Sequence, residues 1–332
     1  MVKLIECVPN VSVGNDPRVL GLLEETLDVR GVQLLHVDSG ISANRSVFTI
    51  VGEPDALKHA LLSFIGRSIL EIDLRAHSGV HPRVGAVDVV PLVPISGVTM
   101  QDCVEFSHQL AALVADRYQV PVSMYEASAR TVKRRSLAYL RKGGFESLQG
   151  RLAQPDMHPD YGGTLPHPSA GMIVMGARPF LVAFNLTLAT DNVTIADEIA
   201  EKLRESGSKR FGSGLLKRCR AIGWFIPEYG AAQISMNILD YRVTPLSMAY
   251  HAASELAATY GTSVVGAELI GMLPREALVL SGRFIDSTIE DPLELAIAEM
   301  KLRSHGFELK QRILEERLSE ILSHDLEYIA YK

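Results

Sequence analysis

The sequence predicts a mixed α/β protein of the α+β kind, made of two copies of one unit that reads strand, helix, strand, strand, helix, strand. Three observations lead there. KLIECVPNVSVGNDPRVLGLLEETL, starting at residue 3, aligns with PFLVAFNLTLATDNVTIADEIAEKL, starting at residue 179: each is an apolar run, an N-x-S/T triplet and a helical period. The following stretches, QLLHVDSGISANRSVFTIVGEPDALKHALLSFI and RAIGWFIPEYGAAQISMNILDYRVTPLSMAYHAASEL, each give two β-rich runs around a Gly-containing turn and then a helix. Finally VGAVDVVPLVP at 84 answers VGAELIGMLP at 265, so an offset of about 180 residues holds throughout and marks a duplication with its seam near residue 180.

The order βαββαβ is that of the ferredoxin-like, or split βαβ, arrangement, in which helices cover one face of a largely antiparallel sheet. The other face is bare and has to be buried, against its twin or against added elements, so two subdomains packed together are expected, spanning 1–180 and 181–332. A chain of 332 residues also exceeds the size at which one core stops growing. In the first copy Asp16 and Pro17 supply an N-cap and a first-turn proline; in the second, Thr190 or Asp191 is the expected cap. Before the seam, PDMHPDYGGTLPHPSAG (155–171) is rich in proline and glycine and reads as an ordered ligand loop or as a linker. Apolar residues at helical spacing from Asp291 to Ile329 predict one or two covering helices.

Composition narrows the function. With 47% hydrophobic and 22% charged residues the chain is an ordinary globular protein, and 33 basic against 39 acidic residues give a net charge of −6. That balance repels nucleic acid and favours small-molecule chemistry. Cys7, Cys103 and Cys219 lie far apart without metal or disulfide spacing, and the N-terminus lacks a signal-peptide pattern, so a cytoplasmic location is expected. Asp88, Pro91 and Pro94 interrupt the most apolar segment, and no membrane span is expected.

Features shared by both copies read as scaffold, and features of one copy as candidates for chemistry. RAHSGVHPRVG, before the strand at 84, has only ATYGTSVVG as its counterpart. His77 and His81 stand four apart, but Gly79 and Pro82 argue for a loop rather than a metal-binding helix, and no metal is expected. His81 reads as an acid–base group or as a loop histidine held by hydrogen bonds. Arg83 reads as a carboxylate clamp or as one half of a surface ion pair. In HVDSGISANRSVF, Asp38, Asn44 and Arg45 sit at strand ends around a turn, where Asp and Asn also serve the turn itself.

Taken in order, LIECVPNVS, VDSGISANRSVFTIVGEP, HSGVHPRVGAVDVVPLVP, PDYGGTLPHPSAG, VMGARPFLVAFNLTL, AIGW, QISMNILDY and VVGAELIGMLP resemble the glutamate formiminotransferase family over nearly the whole chain. That family includes the formiminotransferase part of the bifunctional formiminotransferase-cyclodeaminase, whose second domain a 332-residue chain is expected to lack. The resemblance implies transfer of a formimino group from N-formimino-L-glutamate to N5 of tetrahydrofolate, with folate and a glutamate-derived donor as partners, usually in a homodimer. It implies that His81, in the HPR motif, is catalytic. The folate-binding loop falls on Gly162, Gly163, Thr164, Leu165, Pro166, His167, Pro168, Ser169, Ala170 and Gly171. Asp38 is then a candidate to support His81, with Asn44, Arg45 and Arg83 as candidate substrate contacts. Four positions depart from the family pattern: Val11 and Val13 stand where an aromatic and an acid are usual, and Ser78 and Val80 where a lysine and a glutamate are usual. A related folate enzyme using a formyl donor or 5-formyltetrahydrofolate, and a catalytically silent folate-binding module, are the alternatives.

Overall fold

The apolar run after Lys3 forms strand β1 (Leu4–Cys7), which Pro9 separates from the short β2 (Asn10–Val11) because proline lacks the N–H that a ladder needs. The structure, a computed structural model, describes residues 2–302 and 307–320. It divides into two compact units, Met1–Pro179 and Phe180–Lys332.

In the first unit, α1 (Pro17–Glu25) starts where Asp16 caps it, the side chain accepting from the N–H of Val19 at 3.1 Å. A hairpin of β3 (Val32–Gly40) and β4 (Arg45–Gly52) follows, then α2 (Pro54–Glu71) and β5 (Val87–Ser96). To this βαββαβ series the chain adds α3 (Met100–Tyr118), β6 (Val122–Met124), the short helices α4 (Leu137–Arg141) and α5 (Leu148–Leu152), and β7 (Ile173–Ala177). The first copy is therefore larger than the plain six-element unit. Its sheet pairs β3 with β4, β4 with β1 and β2, and these with β5, all antiparallel, before β7 and β6 extend it in parallel.

In the second unit β8 (Val182–Leu188), α6 (Val193–Leu203), β9 (Cys219–Ile226), β10 (Ala231–Ile238), α7 (Leu246–Thr259) and β11 (Val264–Ile270) form an antiparallel sheet in the order β11-β8-β10-β9. The pairing scheme repeats that of the first copy: second strand with third, third with first, first with fourth. The cap of α6 is neither Thr190 nor Asp191 but Asn192, whose side chain accepts from the N–H of Thr194 at 3.0 Å; the Thr190 hydroxyl instead accepts from the N–H of Asn192. Helices α8 (Arg275–Ile285), α9 (Pro292–Glu299) and α10 (Leu309–Arg312) follow. The last part of the expected covering helices, 321–329, lies outside the described residues.

Strand alternation sorts the first unit's apolar side chains onto two faces. Ile173, Met175 and Ala177 of β7 join the main core with Phe48, Ile50 and Leu92, covered by Leu61 and Phe64 of α2 and Leu110 and Val114 of α3. Val174 points the other way, into a smaller cluster with Val84, Val89, Leu140, Leu148 and Leu152. The short helices α4 and α5 thus cover part of the otherwise bare face, and the end of α4 delivers Arg141 to the site described next. Among the described residues, no helix is long and apolar enough to cross a membrane.

Candidate active site

The β3–β4 turn and the loop 77–83 are tied together by the Asn44 side chain and by one backbone bond. Asn44 adopts a left-handed conformation (φ 44°), which asparagine tolerates. Its Oδ1 accepts from the N–H of Gly14 at 3.0 Å and its Nδ2 donates to the carbonyl of Ser78 at 2.9 Å. The N–H of Val80 donates to the carbonyl of Ser42. One asparagine therefore joins three loops and fixes where the next residues, Arg45 and His81, stand.

Arg45 points into the protein, 7% exposed. Its Nη1 donates to Oδ2 of Asp88 at 2.8 Å, while Nε and Nη2 donate to Oδ1 of Asn10 at 3.2 and 2.9 Å. Asp88 occupies a bulge: Val87 and Val89 both pair with β2, at adjacent residues Val11 and Asn10, leaving Asp88 as the extra residue on β5. Nη2 of Arg141 approaches the same Oδ2 at 2.5 Å, and Oδ1 accepts from the N–H of Val84 at 2.7 Å. Burial by itself would raise the Asp88 carboxyl, but Arg141, Arg45 and the Val84 N–H hold it down at about 2. Burial also lowers Arg45 to about 10, still protonated at neutral pH. Two guanidiniums and one carboxylate leave one surplus positive charge.

That surplus faces His81. Although part of the residue is open to solvent, burial is the largest cause pushing its imidazole well below the usual value; Arg45 and Arg141 push the same way, and Asp88 opposes them. Nδ1 lies 2.8 Å from the carbonyl oxygen of Pro82, which can only accept, so the neutral ring carries its proton on Nδ1 and its basic lone pair on Nε2.

Arg83 makes a second cation site. Its Nη1 and Nη2 donate to Oε2 and Oε1 of Glu146 at 3.1 and 2.8 Å, and its Nε donates to Nδ1 of His77 at 3.0 Å. The other nitrogen of His77, Nε2, donates to the carbonyl of Asn44 at 2.8 Å, so His77 is neutral and relays the position of the β3–β4 turn to Arg83.

The loop 162–171 is ordered by backbone pairing. His167 and Gly171 exchange N–H to carbonyl bonds at 2.9 Å, and the N–H groups of Ala86 and Met172 bond across to Ala170 and Val84. Gly171 has φ +69°, and a Cβ there would lie 2.2 Å from the carbonyl oxygen of Val84, so only glycine allows this approach. Residues 162–165 are exposed at the tip, and Leu165 together with Pro166, His167 and Pro168 lines a pocket of about 350 Å³ with Phe145, Glu146 and Gln149.

Comparison with known proteins agrees with this organisation. Residues 4–178 match the N-terminal subdomain of the formiminotransferase domain, and residues 183–319 match the formiminotransferase domain. The chain belongs to the formiminotransferase family. It is 38% identical over 319 residues to a glutamate formimidoyltransferase of Streptococcus pyogenes serotype M1, covering 96% of this chain and 99% of that one. It is also 34% identical to a glutamate formimidoyltransferase of Thermoplasma acidophilum, covering 84% of this chain and 90% of that one. Against the formimidoyltransferase-cyclodeaminase of Sus scrofa it is 38% identical, covering 95% of this chain and 60% of the longer relative.

Against the residues singled out in the sequence, the structure gathers Asn44, Arg45, His81, Arg83 and the anchored end of the 162–171 loop in this family member. Asp38, on β3, has its Oδ1 3.3 Å from Nε2 of His36. Sequence reading missed Asn10, Asp88, Arg141 and Glu146. For Asp88 a signal was present: a lone carboxylate inside the apolar run VGAVDVVPLVP must be paired once that strand is buried. Of the four departures from the family pattern, Val11 and Val13 are core residues, 0% and 7% exposed, whereas Ser78 and Val80 lie at the surface beside His81. Among the described residues, no group of three or more His, Cys, Asp or Glu side chains is placed to hold a metal ion.

Proposed function

We propose that this protein is a glutamate formimidoyltransferase, moving the formimino group of N-formimino-L-glutamate to N5 of tetrahydrofolate. The observation that carries the reading is the neutral His81 imidazole beside a surplus positive charge, two residues from Arg83 and one backbone ladder from the 162–171 loop. Tetrahydrofolate supplies the nucleophile, an N5 amine whose attack on the formimino carbon forms the new C–N bond as its proton leaves. Nε2 of His81 takes that proton and returns it to the glutamate nitrogen as the old C–N bond breaks. A depressed imidazole suits both halves: it is neutral at pH 7, and its protonated form is a ready acid.

The donor is an anion, and this side of the site is cationic. Arg83 is the proposed clamp for a donor carboxylate, and the Arg45–Asp88–Arg141 group supplies attractive potential around His81. Asn44 shapes the floor by joining three loops. Asp88 sets the buried charge, and Asp38 on β3 is a second supporting carboxylate. The pocket beside Pro166–Pro168 supports the loop 162–171 as the folate-binding segment, with its pairing to Val84 and Ala86 holding it next to the HPR segment. A cytoplasmic homodimer completes the reading.

The test incubates purified protein and tetrahydrofolate with N-formimino-L-glutamate or N-formyl-L-glutamate and follows the folate product. Product from the formimino donor, lost in His81→Ala, is expected. Product only from the formyl donor, or folate binding without product, rejects the assignment.

A further inference from the structure

Arg83 offers the planar fork that fits a carboxylate, yet a carboxylate of this chain already fills it. The two partners differ in how firmly they are held. Arg83 is 14% exposed and pinned from behind, with Nε on His77 and Nη2 also reaching the His77 carbonyl, whereas the Glu146 side chain is 66% exposed. Two glycines with positive φ, Gly143 at +77° and Gly144 at +68°, lead into a short 3-10 turn, Phe145–Ser147, of which Glu146 is the middle residue. It also lines the 350 Å³ pocket with Pro166 and His167, so the carboxylate has open space beside it into which it can rotate.

We propose that Glu146 is an internal occupant of a carboxylate site on Arg83, and that it sets donor affinity by being displaced when a substrate carboxylate binds. The inference rests on the reading of Arg83 as the donor clamp and names the residue that competes for it. The chemical match is direct, since a glutamate side chain and a glutamate-derived donor present the same group. An ion pair whose carboxylate stands largely in solvent contributes little to stability, so exchanging one carboxylate for another costs little. Glu146 also keeps Arg83 neutralised and aligned in the unliganded protein. The surplus charge around Arg45 and Arg141 then favours an incoming anion over an unfilled site.

The experiment titrates the full-length protein with glutarate, a dicarboxylate probe that needs no turnover, and compares wild type with Glu146→Gln and Glu146→Ala. Without the internal competitor, glutarate binds about 3- to 10-fold more tightly, and the KM for the formimino donor falls by a similar factor. Arg83→Met loses glutarate binding. A thermal melt of each variant confirms that it is folded, as an exposed glutamate allows. Unchanged, weaker or undetectable glutarate binding by both Glu146 variants overturns the proposal, because a merely structural Glu146 would weaken the site when removed. The outcomes stay separable from the functional reading: tighter glutarate binding without formimino transfer by wild type would uphold the displaced carboxylate and reject the reaction.

Discussion

Nη1 of Arg45 and Oδ2 of Asp88 meet at 2.8 Å between two buried side chains 43 residues apart in sequence, and Arg141 shares the same oxygen. Replacing Asp88 with Asn would leave two guanidiniums facing each other without an anion. Removing one partner of a buried pair costs about 3–5 kcal/mol. Equilibrium denaturation should show that loss, and a midpoint equal to wild type would show the pair to contribute nothing.

The same charges set a pH dependence for turnover. On the proposed mechanism His81 must be neutral to accept a proton; burial first, then Arg45 on β4 and Arg141 on α4, push its imidazole down, and Asp88 on β5 opposes them. The acid limb of kcat/KM should therefore lie below 6.5, with activity lost as pH falls through the depressed value. Arg141→Met removes one opposing cation, so protonation becomes easier and the limb moves to higher pH. A pH–rate profile with an unmoved limb would remove Arg141 from the electrostatics of His81.

Stability should fall on mild acidification. His77, His81, His108 and His167 are all lowered from 6.5, burial being the first cause in each. Below 6.5 the unfolded chain takes up protons that the folded protein refuses, so the stabilisation is complete above that pH and shrinks as pH drops toward the folded values. Asp88 acts in a separate window: held at about 2 against 3.8, it contributes stability above 3.8 that is lost as pH falls toward 2. Urea unfolding at pH 7.5 and 5.5 measures the first effect, and His77→Asn should reduce it. Equal free energies at the two pH values would contradict the assignment.

Gly171 carries both a positive φ and a Cβ exclusion at the Val84 carbonyl. Gly171→Ala should destabilise the first unit by at least about 1 kcal/mol, and more if the backbone cannot shift. Because residues 166–168 of the proposed folate-binding loop lie just before this anchor, that proposal predicts that the variant also binds folate more weakly. Calorimetric titration together with a denaturation midpoint tests both, and wild-type values for both would separate the anchor from the loop.

The duplicated βαββαβ series was legible because its signals are local. β-rich runs around a Gly-containing turn marked β3–β4 and β9–β10, the Asp16–Pro17 pair marked the start of α1, and the repeat matched the elements of the two copies in order. The extension by β6 and β7 had no twin to betray it, and the cap of α6 shifted by one residue because three consecutive polar side chains, Thr190 to Asn192, compete for that role. In the site, His81, Arg83 and Gly171 stood out by residue type and motif. Glu146 and Arg141 did not, since each is an ordinary charged residue on a short helical turn.

By itself, then, the sequence determined the repeated unit, its element types and the segments that differ between the copies, because apolar period and turn chemistry act over a few residues. Only the tertiary structure decided who neutralises whom: that Arg45 turns inward to Asp88 and Asn10, and that Arg83 is held by Glu146 from 63 residues away. Charge pairing across such separations depends on which strands become neighbours and which side chains are desolvated together, and neither is written in any local pattern.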